Sequence, residues 1–510
     1  MIKTIINKSA KNFFYFLISF FSSSLIGFIA TPIIIYYVGK NDYGVYRIIL
    51  EFIGYLALCD LGLATTSNSL LSKSIRENTI YHTLGVMKSL HKAYFKIYPL
   101  IALSIAIVYL LLTQVSQLES TSTNLSAFLM IALPAFYFPL LVYRDYLIAN
   151  EQAHLVSKSS LLQLVLLSVF NISFSYFGLG LLGLGLSYFL ANSSFFLCLY
   201  YFSRRELKIH TGPVENIELG EIWSLNKHSL LQDIFGRLSF MSDNIIVSKY
   251  FSFGEVTNFF TNQRLMSLGN SFSQNFGSSS WPSIVKTYKE DGNHLDFSEV
   301  FNFFNRALVF LSAPLFFTMG INNKEFIILW LGADYYVSDL LTWSSVITYF
   351  AFGLITFWSW ILLGVDQMKM RTRVVIVSGI INIVASILLT KHIGVEGPIL
   401  GTMISFYGFY IWAMLYIFQV KLKVKMVRFY VRLIAIFITY GAIYYFFNPY
   451  LNFIVDMTSR HWFYLILQIG VHYFLFLAIA APFIIRRSDL KELLKIIDEK
   501  YLSKIKKKLL

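Results

Sequence analysis

The sequence predicts an all-α polytopic membrane protein with about fourteen transmembrane helices. Three observations predict it. The chain of 510 residues is 56% apolar and only 14% charged, whereas soluble domains carry about 25% charged residues. Apolar stretches of span length recur throughout, and a span needs about 20 largely apolar residues. The basic residues also gather at alternate connections between those stretches, as the positive-inside rule requires.

Taken in order, the spans fall at approximately 13–37, 45–71, 93–113, 125–148, 157–177, 181–202, 229–251, 256–284, 301–322, 340–364, 374–390, 398–420, 429–447 and 461–485. The basic flank before the first span is not followed by a small-residue cleavage site, so no removable signal peptide is expected. Of the 42 Lys and Arg residues, the outer segments hold only Lys40, Lys249, Lys324, Lys391 and Arg460, which places both termini in the cytoplasm. The connection 73–92 reads as a surface helix or linker. Residues 325–339 are apolar but too short to span, and are expected to lie in the interface. The tail 488–510 repeats Leu490, Leu493, Leu494 and Ile497 between lysines. That fits an amphipathic helix on an anionic leaflet, and equally a plain positive-inside anchor.

The chain is doubled. Glu151-Gln152 closes the fourth span and Asp366-Gln367 closes the tenth. Further on, Gly180-Leu-Leu-Gly183 answers Gly394-Val-Glu-Gly397, each a tight outer turn. The period of six spans divides the chain into lobes 1–210 and 211–425, a pair of helices in 426–485, and the basic tail 486–510. Both copies then face the same way, an arrangement in which transporters hold substrate between the halves.

Residues 43–72 are long enough to cross a bilayer, yet carry Arg47, Glu51 and Asp60. Each charge costs roughly 2.5–3.5 kcal/mol at the bilayer centre on insertion scales. Arg47 and Glu51 are four apart and can pair on one helix face; Asp60 has no local partner. The matching hairpin of the second copy carries Asp233, Arg237, Asp243 and Arg264. Asp233 and Arg237 can neutralise each other, and Arg264 has no local acid. Two readings fit these seven charges: a wet polar route, or a lattice of structural ion pairs. Arginine suits a phosphate in such a route, because its planar fork donates two bonds and stays charged at any depth. The tyrosines and tryptophans, Tyr55 and Trp281 among them, suit interfacial belts, packing, or stacking on sugars.

Nothing in the sequence assembles a catalytic set, so a transporter is expected rather than an enzyme. Cys59 and Cys198 both lie in apolar spans, and the nine histidines are scattered without metal-ligand spacing. No cofactor is expected beyond a coupling proton or sodium ion. Gly178-Leu-Gly-Leu-Leu-Gly183 matches a dinucleotide fingerprint in letters alone; it sits between two spans, and no acid follows in the next twenty residues. The net charge of +14 lies largely in loops and tail, so the partners are membrane lipids and not nucleic acid.

The run Gly39-Lys-Asn-Asp-Tyr43-Gly44-Val-Tyr46, followed by Asp60-Leu-Gly62-Leu63, resembles the opening of the polysaccharide-biosynthesis (O-antigen, Wzx-type) flippases. Leu329-Trp330-Leu331-Gly332 and the two acidic-Gln turns fit the same family, and the likeness extends over essentially the whole chain. The superfamily also holds the MATE drug exporters and the lipid II flippases. The resemblance implies a MATE-like fold of two pseudo-symmetric six-helix lobes plus two C-terminal helices. It implies a flippase for undecaprenyl-pyrophosphate-linked oligosaccharide units, working by alternating access in the bacterial inner membrane. The head group would cross a central cavity lined by Arg47, Arg237, Arg264, Glu51, Asp60, Asp233 and Asp243, while spans 13–14 hold the polyprenyl tail. A polysaccharide polymerase and a chain-length regulator are the protein partners the resemblance suggests. The alternatives are a cation-coupled drug exporter or a lipid II flippase. A membrane glycosyltransferase would carry a large outer loop, and every outer loop here is short.

Overall fold

The computed structural model describes residues 24–60, 63–76, 80–116, 121–150, 152–207, 234–235, 237, 242–290, 294–365, 367–426, 431, 433–442, 444, 446 and 462–484. Every regular element among the described residues is helical, which is what a bilayer demands of a chain that must satisfy its own backbone. Eight of these helices are long and apolar enough to cross a membrane, or nine if the bent pair Thr83–Lys96 and Tyr98–Thr113 is one span.

Helix α1 (Ser24–Val38) ends at Gly39, whose φ of +92° makes a left-handed turn. Helix α2 (Lys40–Leu56) follows and buries Tyr43, Tyr46, Ile49, Phe52 and Leu56. It does not run on through residue 71 as one span. A 3-10 turn at Ala57–Asp60 ends it, and α3 (Leu63–Arg76) begins anew. Aspartate and glycine are poor in a helix interior, and Asp60-Leu-Gly62 supplies both.

Of the two forms expected for the connection 73–92, its described residues take the helical one, with a buried face. Most of it belongs to α4 (Ile80–Lys96), whose Val86, Leu90, Ala93 and Tyr94 are buried with Leu71, Val142 and Leu199 in one core cluster. Between α4 and α5 (Tyr98–Ser116) the chain bends by 45°. Pro99 sits at that bend and has no N–H to continue the α4 ladder. Pro139 stands in the 3-10 turn Phe138–Leu140 between α6 (Thr121–Tyr137) and α7 (Leu141–Ala149). The long antiparallel pair α8 (Ala153–Tyr176) and α9 (Gly180–Leu207) closes the first half.

After a stretch outside the described residues come α10 (Asp243–Tyr250), α11 (Phe253–Asn262) and α12 (Arg264–Glu290). The span read at 256–284 is therefore interrupted at Gln263. Helix α13 (His294–Trp330) is 37 residues long, and it absorbs the start of the segment expected in the interface. Phe326, Ile327 and Trp330 are buried in protein, and Gly332 (φ +109°) then turns the chain. Helices α14 (Asp339–Gly364), α15 (Met368–Ile393), α16 (Gly397–Ser405) and α17 (Ile411–Lys421) follow, with a π-helical turn at Phe406–Tyr410 between the last two. The described part of the C-terminal pair is α18 (Leu433–Ala442) and α19 (Trp462–Ile484). The basic tail and Asp366 lie outside the described residues.

The doubling extends to hydrogen bonds. In the first copy Gln152 N donates to Leu147 O at 2.8 Å and Asn150 N to Tyr146 O at 2.8 Å. At the same offset in the second copy, Gln367 N donates to Leu362 O at 2.9 Å and Val365 N to Ile361 O at 3.0 Å. The glycine turns match as well: Gly178 (φ +76°), Gly180 (φ +53°) and Gly394 (φ +114°) are left-handed.

The chain forms two compact units. The first lies within Met1–Phe260 and Val375–Gly401, and a core cluster built around α3, α4, α7 and α9 mixes aliphatic side chains such as Leu71, Val86, Leu90 and Leu199 with the rings of Tyr94, Phe138, Tyr146 and Phe196. The second lies within Thr261–Val374 and Thr402–Leu510 and is packed on aromatics. Phe301 stacks on Phe357 at 6.0 Å, and Phe317 meets Phe476 of α19 edge-on at 4.9 Å.

Candidate functional site

The candidate site is built on α2 of the first unit. Arg47, Glu51 and Tyr55 follow one another at helical spacing of four. What brings partners to them is a close approach at Gly44: a Cβ there would collide with the backbone carbonyl of Phe253, which only glycine allows. That contact anchors the start of α11 against the start of α2. Thr257 Oγ1 adds a bond to Lys40 O at 2.7 Å.

Phe260 of α11 then lies under Arg47, with the guanidinium carbon 3.6 Å from the ring centroid. This is close cation–π stacking. Arg47 Nη2 is 3.8 Å from Glu51 Oε1, too long for a hydrogen bond. Glu51 Oε1 instead accepts from Asn244 Nδ2 of α10 at 2.7 Å. The pair is only partly shielded, at 21% and 13% side-chain exposure. Among the described residues, Arg47 Nε finds no hydrogen-bond partner. Arg47 is thus stacked, flanked by an acid, and still short of acceptors.

Arg237 reaches the same helix differently. Its Nη1 donates to Gly54 O at 2.6 Å. Gly54 is in the last turn of α2, where carbonyls have no helical partner, and a cation there also meets the negative end of the helix dipole. Tyr55 lies within electrostatic range of Glu51, Asp243 and Arg237. So the structure brings together Arg47, Glu51, Arg237 and Asp243 around α2. Asp233 lies outside the described residues, so its pairing with Arg237 does too.

The remaining two expected residues lie elsewhere. Asp60 follows the end of α2 and is within electrostatic range of Tyr94 on α4, as are Arg144 and Asp145 on α7. Arg264 opens α12 in the second unit. A cation at a helix N-terminus gains nothing from the dipole, so helix stability does not account for an arginine there.

Sequence reasoning missed Asn244 and Phe260, because it searched the spans for charge. The signal was present for Asn244, an amide beside Asp243 in an apolar stretch. The same search missed a neutral network in the second unit. Asn262 Nδ2 donates to Tyr335 O at 2.6 Å, and Asn262 Oδ1 accepts from Val337 N at 3.2 Å. Asn323 Nδ2 bonds both Asn262 O at 3.0 Å and Thr342 Oγ1 at 3.1 Å. Asn322 Nδ2 stands 3.2 Å from His472 Nδ1 of α19. Among the described residues, no group of three or more His, Cys, Asp or Glu is placed to hold a metal ion.

No protein-family model matches the chain, and no curated protein matches it. Solved structures do match its fold. A lipid II flippase, MurJ, in an inward closed conformation, superposes with a TM-score of 0.68 at 16% identity, covering 92% of this chain and 99% of that one. An outward-facing multidrug resistance MATE family transporter of the MOP superfamily gives 0.58 at 13% identity, covering 80% and 95%. The bent form of the Vibrio cholerae MATE transporter VcmN gives 0.55 at 13%, covering 81% and 95%. The chain is therefore an all-α, multi-pass membrane protein with the fold these transporters share.

Proposed function

We propose that this protein is a flippase for a pyrophosphate-linked polyprenyl oligosaccharide, moving it across the bacterial inner membrane by alternating access for surface polysaccharide synthesis. The observation that carries the proposal is Arg47. Its guanidinium is oriented by Phe260 at 3.6 Å, and its neighbour Glu51 is engaged by Asn244. Its Nε has no acceptor among the described residues. A phosphate oxygen pair is the acceptor a planar fork fits best, and in low dielectric it would out-compete a carboxylate held 3.8 Å away. By the resemblance in the sequence, the C-terminal spans hold the tail. In the second unit α18 lines a groove of about 350 Å³ whose walls include Phe317, Trp343, Phe350, Leu433, Phe437 and Ile438. Its lining suits a hydrocarbon chain and no polar ligand.

Lipid II, the cargo named for MurJ, is the second reading. It is favoured over drug export by coverage, since MurJ matches 92% of this chain and the VcmN transporter 81%. Arg47→Ala in a strain lacking the chromosomal copy tests the proposal. Surface glycan should fall by more than about tenfold, the loss of a charge-assisted contact of 1.5–3 kcal/mol, while protein level stays normal and lipid-linked sugar accumulates. Arg47→Lys, which keeps charge without the fork, should restore part of it. Normal glycan in Arg47→Ala would sink the proposal; normal glycan with arrested growth and accumulated lipid II would transfer it to the second reading.

A further inference from the structure

The first unit carries an apolar groove of about 520 Å³ between α6 and α9. Phe136 and Tyr137 of α6, Leu140 of the 3-10 turn, and Phe196, Leu197 and Tyr200 of α9 all line it. Tyr137 stacks on Phe196 with ring centroids 4.1 Å apart, which makes one wall a flat aromatic surface. Phe136 and Leu197 are 66% and 67% exposed, so the groove opens outward, onto hydrocarbon in a bilayer. Its wall on α9 runs from Phe189 to Tyr200, a rise of about 16 Å. The hydrocarbon of one leaflet is about 15 Å deep.

A cation stands at the end of this groove. Arg204, in the last turn of α9, holds its guanidinium carbon 5.2 Å from the centroid of the Tyr200 ring. Tyr143 of α7 meets the same ring edge-on at 5.2 Å, and Ser203 Oγ donates to Tyr143 O at 3.1 Å. Arg204 is thus displayed from an aromatic base held between two helices. His91 of α4 packs edge-on against Tyr143 at 5.4 Å, and the exposed Lys88 and Lys92 follow it on the same helix face. Among the described residues, no acid is within ion-pair distance of Arg204. The helix dipole accounts for a cation at the end of α9, but not for a groove one leaflet deep that stops at its ring. A molecule with a chain of leaflet length and an anionic head meets both features. We infer that α6 and α9 form a binding site for an anionic diacyl phospholipid, one chain in the groove and the phosphate on Arg204. Lys88 and Lys92 extend the basic rim around the headgroup. A zwitterionic lipid brings its own cation to Arg204 and loses this attraction, and a long polyprenyl chain overruns a groove of this length. The site is separate from Arg47 and does not depend on what the protein carries.

Native mass spectrometry of the full-length protein tests this, with equimolar phosphatidylglycerol and phosphatidylcholine of identical chains. The wild type should retain phosphatidylglycerol about fivefold over phosphatidylcholine, the effect of one cation near a membrane surface. Arg204→Gln should erase that preference. Leu197→Trp, which fills the groove, should lower retention of both lipids. Arg204 and Leu197 are exposed, so neither change touches the core. Lys421→Gln removes an equal charge from the end of α17 in the second unit and should leave the preference as it is. The inference falls if the wild type shows no preference, if Arg204→Gln keeps it, or if Leu197→Trp retains both lipids as the wild type does. It falls equally if Lys421→Gln erases the preference, since net charge then explains it, or if a polyprenyl phosphate at equal concentration displaces the phosphatidylglycerol.

Discussion

Two helix breaks in this molecule are mended with different chemistry. At the end of α2, in the first unit, the open carbonyl of Gly54 is taken by a charged side chain, Arg237. At Gln263, in the second unit, the break is mended by neutral amides: Asn262 bridges to the loop after α13, and Asn323 takes the Asn262 carbonyl. A membrane-buried amide bond contributes about 0.6 kcal/mol on average and up to about 1.7. A charge costs roughly 2.5–3.5 kcal/mol to place at the bilayer centre. Amides are thus the cheaper way to satisfy backbone, and the second unit shows that this fold uses them. A cluster of charges where amides would serve has to be explained by something beyond backbone satisfaction. Saturation makes the same distinction: Asn262 is bonded at its carbonyl and at both ends of its amide, whereas Arg47 keeps an open Nε.

The comparison breaks most easily at Arg264. If it meets the cargo, Arg264→Ala should abolish surface glycan with protein level unchanged, a loss comparable to Arg47→Ala; an unchanged glycan profile removes Arg264 from the site. The neutral side is probed by Asn262→Leu, which strips two bonds from a buried position and should cost about 1–3 kcal/mol. Thermal unfolding in nanodiscs should shift downward by several degrees, while the protein that remains folded transports normally. A transport defect at full stability would give the amide network a functional part and erase the contrast. The smallest effect is expected from Arg237→Gln. A neutral amide can still donate to the Gly54 carbonyl, so only the charge–dipole part, below about 1 kcal/mol, is lost. Transport should persist; its loss would make Arg237 a cargo contact rather than a cap.

Much of this architecture was legible in the chain. Spans 157–177, 340–364 and 461–485 agree with α8, α14 and α19 to within a few residues, because hydropathy over twenty residues is what the bilayer itself reads. The doubled acidic-Gln turns were legible too, down to matching hydrogen bonds. The breaks at 57–60 and at 263 were not, since a window average is blind to a local turn inside an apolar stretch. Arg47 and Glu51 could be picked as neighbours from spacing alone, but Phe260 and Asn244 could not.

By itself, the sequence determined the class of the protein, the length and order of most spans, the internal doubling, and the presence of charge where lipid would forbid it. Each of these is set by a residue and its near neighbours along the chain, facing a solvent of fixed thickness. Tertiary structure alone decided which charges meet. It set Arg237 on a carbonyl 183 residues away and Asn244 on a carboxylate 193 residues away. Partner choice between buried polar groups depends on which helices pack side by side, and that order in space is not written in any local stretch of the chain.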